Sequence, residues 1–183
     1  MAAHTPPART APPIDRRRLA FTRPNGVYVG RSDGTRIRRL TRLPAFEYQP
    51  DWSPDGSRLL LRADGETSDD PAAGVHIVDR DGGRARNLTG RLGVYGGSPD
   101  WSPDGAHFAF MGKRSGERFV GIYVARADGS GACRVTRDDY EAQYPAWSPD
   151  GREIAFARVE DGGFDLAAVA PNGTRMDDHQ RRQ

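Results

Sequence analysis

Pro50-Asp51-Trp52-Ser53-Pro54-Asp55-Gly56 returns as Pro99-Asp100-Trp101-Ser102-Pro103-Asp104-Gly105 and again as Pro145-Ala146-Trp147-Ser148-Pro149-Asp150-Gly151. The three heptads hold every tryptophan of the chain, 49 and then 46 residues apart. A period of that size marks a repeat protein whose unit is one small sheet, as in propeller blades. Chains built this way serve chiefly as binding scaffolds.

Each heptad is followed by the same landmarks in the same order. An apolar run comes first: Leu59-Leu60-Leu61, Phe108-Ala109-Phe110-Met111 and Ile154-Ala155-Phe156-Ala157. A β-rich run follows, as Val75-His76-Ile77-Val78, Ile122-Tyr123-Val124 and Leu166-Ala167-Ala168-Val169, closed by Asp81-Gly82, Asp128-Gly129 or Asn172-Gly173. A third run ends in Leu88-Thr89 or Val135-Thr136. Upstream of the first heptad the order is repeated by Leu19-Ala20-Phe21, Val27-Tyr28-Val29, Asp33-Gly34 and Leu40-Thr41. The chain thus divides into a flexible Pro-rich leader over 1–15, four units over about 16–43, 44–91, 92–138 and 139–175, and a polar tail over 176–183.

Such a unit reads as four short antiparallel strands. Asp-Gly favours a tight hairpin turn in which both central residues take positive φ. Asp55-Gly56, Asp104-Gly105 and Asp150-Gly151 are therefore expected to join first strand to second, and the other four pairs third to fourth. A proline before each tryptophan removes a ladder donor, which is tolerated on an edge, so the first strand is an edge strand. The second strands are apolar at consecutive positions, which demands burial on both faces. Sheets stacked face to face around an axis supply it, with Trp52, Trp101 and Trp147 as wedges between neighbours.

Both ends of the array are defective. Aligning Arg18-Leu19 with Arg58-Leu59 leaves only Asp15 where Ser-Pro-Asp-Gly stands elsewhere, so the first unit lacks its inner strand. After Asn172-Gly173 the fourth strand has decayed to Arg175-Met176-Asp177-Asp178. An open arc exposes two apolar sheet faces, so the expectation is a fragment of a larger ring or a protomer that completes its ring by homo-oligomerisation.

The heptad, the Ile-Ala-Phe-like strand, the Ile-Tyr-Val-like strand, Asp-Gly and Leu-Thr together resemble the WD40-like repeat of the TolB-type β-propellers, over roughly residues 16 to 175. The resemblance implies an all-β propeller of about four four-stranded blades with the outer two incomplete, in a family that usually has six. It implies less about function. Similar repeats form the periplasmic propeller of the Tol system, the non-catalytic propellers of prolyl-oligopeptidase-like and tricorn-like proteases, and many stand-alone proteins. Export is common in the family, whereas Met1 to Arg18, with Pro6, Pro7, Pro12 and Pro13 and no apolar core, reads as a leader and not a signal peptide, which taken literally means cytoplasmic.

Composition sets further limits. With 183 residues, 36% of them apolar, 22 Gly and 14 Pro, the chain is long enough for a core and rich in turn formers. No stretch approaches the roughly 20 apolar residues of a membrane-spanning helix. Twenty-seven basic against 25 acidic side chains, a net charge of +2, are too balanced to imply nucleic acid or an acidic membrane as partner. Lys113 is the sole lysine, a bias that reflects GC-rich coding. Arg16-Arg17-Arg18 and Arg36, Arg38, Arg39 and Arg42 read as solvated strand edges. Cys133, the one cysteine, aligns with Arg38 and Arg86 and has no partner for an internal disulfide.

Catalytic patterns are sparse. Gly30-Arg31-Ser32-Asp33-Gly34 satisfies Gly-x-Ser-x-Gly, but a nucleophile elbow needs a strand, a strained turn and a helix, and here Asp33-Gly34 occupies a hairpin position. His4 and His179 fall in the tails, His76 replaces Tyr28 and Tyr123 in register, and His107 aligns with Arg58 and Glu153. Asp69-Asp70 and Asp138-Asp139-x-Glu141 offer oxygen ligands for Ca²⁺ without an EF-hand loop, and read as solvated loop carboxylates. No catalytic residue, cofactor or metal is expected.

The functional surface is then set by topology. Loops from fourth strand to next first strand, Pro44 to Gln49, Gly93 to Ser98 and Asp138 to Tyr144, share a rim with the loops from second to third strand. Glu47, Tyr48, Tyr95, Tyr140, Glu141 and Tyr144 converge there, with Phe46 beside them. Aromatic groups next to carboxylates suit a peptide or protein partner; equally, some of these tyrosines cap the blade tryptophans. The expectation is a non-enzymatic interaction scaffold. The alternative is the accessory propeller of a prolyl-oligopeptidase-like serine peptidase whose catalytic domain lies elsewhere.

Overall fold

The structure, a computed structural model, describes residues 18–43, 46–65, 73–160 and 163–174. Apart from one 3-10 turn at Gly90–Leu92, the regular elements among them are strands. Blade 1 consists of β1 (Arg18–Arg23), β2 (Gly26–Arg31) and β3 (Arg38–Arg39). Blade 2 has β4 (Phe46–Trp52), β5 (Arg58–Asp64), β6 (Gly74–Asp79) and β7 (Arg86–Asn87). Blade 3 repeats it with β8 (Val94–Trp101), β9 (His107–Arg114), β10 (Gly121–Arg126) and β11 (Cys133–Arg134). Blade 4 is β12 (Glu141–Trp147), β13 (Ile154–Glu160) and β14 (Gly163–Val169). Every sheet is an antiparallel meander in chain order, and among the described residues it is four strands wide in the middle blades and three at the ends. Among the described residues blade 1 begins with the second strand of the repeat; Asp15 and the 175–178 stretch lie outside them.

The heptad's turn is built differently from the expected tight hairpin. Only the glycine takes positive φ, at 64°, 68° and 73° for Gly56, Gly105 and Gly151, and none of the three aspartates does. The glycine N–H closes the turn on the carbonyl of Ser53, Ser102 or Ser148. Proline, with φ fixed near −65°, starts a type I turn and glycine ends it. The aspartate acts through its side chain: Asp55 Oδ1 accepts from the Ser53 hydroxyl at 2.6 Å and from the Ser57 N–H at 3.0 Å. Asp104 and Asp150 repeat the pattern on Ser102 with Ala106 and on Ser148 with Arg152. Each serine Oγ in turn accepts the N–H of Arg58, His107 or Glu153. Proline and glycine are thus fixed by backbone geometry, and serine and aspartate by their side-chain hydrogen bonds.

A second difference concerns the first strands. They start before the heptad's proline and run through it, so Phe46, Tyr95 and Glu141 stand on strands and not on loops. Pairing slips by a residue between Tyr48 and Asp51, between Gly97 and Asp100 and between Gln143 and Ala146. At each slip the residue before the proline takes positive φ: 52° at Gln49, 49° at Ser98 and 53° at Tyr144. The missing proline donor is absorbed by this bulge on an edge strand.

The core is not inside a sheet but between sheets. Between blades 1 and 2, Val27, Val29 and Leu40 meet Leu59, Leu61, Ala63 and Val78. Between blades 2 and 3, Leu60, Val75 and Ile77 meet Trp101, Phe108, Phe110 and Tyr123. Between blades 3 and 4, Ala109, Ile122 and Val124 meet Ile154, Phe156 and Val169. Alternate residues of one second strand therefore serve two different seams: Leu59 and Leu61 point back and Leu60 forward, all fully buried. The forward and backward sides of each blade are called here its leading and trailing faces. Trp101, 5% exposed, sits edge-on to Phe108 with ring centres 6.4 Å apart and the Arg58 guanidinium of blade 2 over its ring. Trp52 and Trp147 are only half-buried. None of the three indole N–H groups has a hydrogen-bond partner, so the tryptophans act through packed area. We expect Trp101→Ala to cost about 3 to 5 kcal/mol in urea unfolding and the same change at Trp52 or Trp147 to cost less; equal losses at all three would show that burial does not set their contribution.

Candidate functional site

The first strands lie side by side, β4 against β8 and β8 against β12, and form the inner edge of the arc. Their pairing puts Phe46 opposite Asp64, Tyr95 opposite Lys113 and Glu141 opposite Val159, so Phe46, Tyr95 and Glu141 form one row across three blades. Phe46 is 73% exposed and Tyr144, at the blade 4 bulge, 55%. Tyr95 is also open to solvent. Large apolar rings left exposed on a rigid inner edge are the atypical part of this surface.

The remaining residues picked out from sequence are placed otherwise. Glu47 is buried: its carboxylate accepts from the Thr41 hydroxyl and from the Leu43 N–H at 2.9 Å, tying the incoming loop to β4, so it offers nothing to a partner. Burial raises its pKa, opposed by the backbone N–H groups of Leu43 and Val27. Tyr140 stacks on Phe156 with ring centres 6.2 Å apart and packs on the seam between blades 3 and 4, so it caps a phenylalanine and not a tryptophan. Glu141 is half-buried and accepts from Gln143 Nε2 at 2.6 Å.

Tyr48 belongs to a cluster that the motif reading missed. Its hydroxyl donates to Asp64, the Arg62 guanidinium lies 5.0 Å from its ring centre, and Arg62 Nε bonds Asp64 Oδ1 at 2.8 Å. Burial and the bond to Asp64 hold the Tyr48 phenol protonated. Arg62 crosses to blade 3, where a Cβ at Gly97 would clash with its Cδ, so the glycine makes room for the arginine. The signal was legible in principle, because Arg62 follows the apolar triplet Leu59–Leu61 within β5 and pairs with Tyr48.

Below this cluster the heptad's second residue links the blades. Asp51 Oδ2 accepts the Trp101 N–H at 2.8 Å, and Asp100 Oδ2 accepts the Trp147 N–H at 2.6 Å. An edge-strand amide that would face solvent is thereby bonded across the seam. Burial pushes the Asp51 carboxyl up to about 6, helped by repulsion from Asp100 and opposed by the Trp101 N–H. Asp100 is raised as well, by burial.

The acidic loop of blade 3 has a structural explanation. Asp138 accepts the N–H groups of Arg118 and Phe119 and pairs with Arg134 at 3.2 Å, while Asp139 pairs with Arg137 at 2.7 Å. Asp69-Asp70 lie outside the described residues, among which no group of three His, Cys, Asp or Glu is placed to hold a metal. At Gly30–Gly34 the Asp33 carboxylate accepts the Thr35 N–H and hydroxyl in a turn that leads from β2 toward β3, without the helix of a nucleophile elbow.

This architecture has a family. The chain matches the family model of the TolB beta propeller domain over residues 15–178 and belongs to that family. It is similar in structure to a TolB-like protein from Agrobacterium tumefaciens, with a TM-score of 0.73 and 25% identity over 90% of this chain and 59% of that one. TolB from Acinetobacter baumannii gives 0.67 and 22% over 88% of this chain and 42% of that one. The chain therefore spans about half the length of these relatives. A puromycin hydrolase shares the fold at 0.65 and 19% identity, over 84% of this chain and 26% of its own. No curated protein sequence matches the chain.

The Asp51 carboxyl supplies a pH test. Its pKa is near 4 in the unfolded chain and about 6 when folded, so the ionised group subtracts stability above pH 6 and this loss disappears as pH falls toward 4. The subtraction is of order 1 to 3 kcal/mol. Asn keeps the acceptor for the Trp101 N–H and removes the charge. We expect Asp51→Asn to raise the melting temperature at pH 7.5 and to give no gain at pH 4; an equal effect at both would contradict the seam electrostatics.

Proposed function

We propose that the chain, built on repeat units at 16–43, 44–91, 92–138 and 139–175, is a non-enzymatic interaction scaffold that holds a protein or peptide on the inner edge of its first strands. The observation that carries this reading is the row of open aromatic groups, Phe46 and Tyr95 with Tyr144 beside it, on strands otherwise pinned by bulges and inter-blade hydrogen bonds. Rigid rings on a preorganised edge bind at low entropic cost, and Asp64, Arg62 and Lys113 supply charge of both signs nearby. Self-association through the end blades is part of the same reading.

A second reading is favoured by the likeness to puromycin hydrolase and to prolyl endopeptidases: an accessory propeller that admits peptides to a separate catalytic domain. An α/β-hydrolase domain in the same reading frame beyond Gln183 would decide for it.

Of the residues named from sequence, Tyr48, Tyr95, Glu141 and Tyr144 remain in the proposed contact set, Tyr48 through its exposed part. Energy in such contacts concentrates in a few aromatic anchors. A display selection of random peptides on the immobilised chain tests this directly. We expect Tyr95→Ala or Tyr144→Ala to weaken the selected peptides by about 1 to 2 kcal/mol with an unchanged melting temperature, whereas Tyr48→Ala also lowers stability because it removes the hydroxyl bonded to Asp64 and the ring beneath Arg62. Peptides that ignore the inner-edge changes and lose binding to substitutions at Asp55 or Asp104 in the folded protein would place the site on the opposite rim.

A further inference from the structure

The repeat register states what covers each sheet face, and among the described residues two faces are open. On the leading face, Val27, Val75 and Ile122 occupy one position of the third strand, pairing with Thr22, Arg62 and Met111, and each is fully buried by the next blade. Leu166 holds that position in blade 4, opposite Ala157, and is 83% exposed. Phe164, beside it opposite Val159, is 69% exposed. On the trailing face, Leu59, Phe108 and Ile154 are fully buried against the preceding blade, and their counterpart in blade 1, Leu19, is 52% exposed. Next to it Phe21 stacks on Tyr28 at 6.0 Å with the Arg23 guanidinium over both rings. The two faces of one copy do not cover each other, since both stay open.

Three features match these faces to one another. Every seam between the described blades joins a leading face to a trailing face, and the two open faces are one of each kind. The seam between blades 3 and 4 sets small Ala109 against large Ile154 and Phe156; blade 4 offers Ala155 and Ala157 where blade 1 offers Leu19, Phe21 and Tyr28. The third is the heptad's second residue. Asp51 and Asp100 each serve the tryptophan amide of the following blade, but blade 4 has Ala146 at that position and so presents no carboxylate. That suits a following blade without a heptad tryptophan, and blade 1 is such a blade.

We propose that the leading face of blade 4 binds the trailing face of blade 1 of a second copy of this chain, head to tail, extending the blade stack across the molecular boundary. This deepens the self-association in the proposed function and does not involve the inner-edge aromatic row. The contact is heterologous, so it closes into a ring or propagates according to the rotation between copies.

Sedimentation velocity on the full chain tests it, with Leu166→Glu and Leu19→Glu as variants and circular dichroism as the folding control. Both leucines are exposed, so both variants should fold. The wild type is expected to associate with rising concentration and each variant alone to stay monomeric. An equimolar mixture of the two should regain a heterodimer, because the blade 4 face of Leu19→Glu and the blade 1 face of Leu166→Glu are intact. Tyr144→Ala should associate as the wild type does, which separates this contact from the peptide site. A wild type that is monomeric at its highest soluble concentration overturns the proposal. So does an isologous pattern, in which one variant associates normally and mixing restores nothing.

Discussion

No sheet in this protein can hide its apolar residues by itself; each depends on a neighbour lying against it. The second strands impose that constraint, since Leu59, Leu60 and Leu61 are consecutive, fully buried, and directed into two different seams. A strand apolar on both faces is stable only as the middle of a stack. The carboxylates of Asp51 and Asp100 add direction to this packing. They bond an amide that the edge strand would otherwise leave unpaired, and so tie each blade to the next across the seam. The cost is a buried negative charge, visible in the raised pKa of Asp51.

The site follows from the same constraint. Because the seams hold the blades, the first strands need not be covered, and their proline bulges keep the inner edge in a fixed shape with rings exposed. The charged pair Arg62 and Asp64 belongs to both systems, bridging blades 2 and 3 over Gly97 while framing Tyr48. Membership of the TolB beta propeller domain family accounts for the fold, and the inner edge and the end faces are where this chain's own residues carry the proposed interactions.

Much of this was legible in the heptad. Its spacing set the repeat, its glycine and proline located the turns, and the apolar triplets located the seams. The turn type was not, because Asp-Gly alone does not reveal that Ser53 and Asp55 bond each other and free the aspartate from a positive φ. Nor was the start of the first strand, since a proline normally ends a strand and here a bulge carries it through. Among the residues named from sequence, Tyr95 and Tyr144 lie exposed on the inner edge. Glu47 went inward because Thr41 and Leu43, from the preceding blade, needed its carboxylate, a tertiary demand that no local pattern displays. Arg62 escaped notice for the converse reason: its role lies in the next blade.

The central claim is that the blades are locked to one another across their seams and not merely placed side by side. Residue-resolved amide hydrogen exchange at neutral pH measures this most directly at the Trp101 and Trp147 N–H groups. On an unlinked edge strand these amides would exchange quickly. The account predicts protection close to that of Leu60 and Ala109 in the buried second strands, so that exchange requires opening of the stack. Rapid exchange at both tryptophans while the second strands stay protected would contradict it.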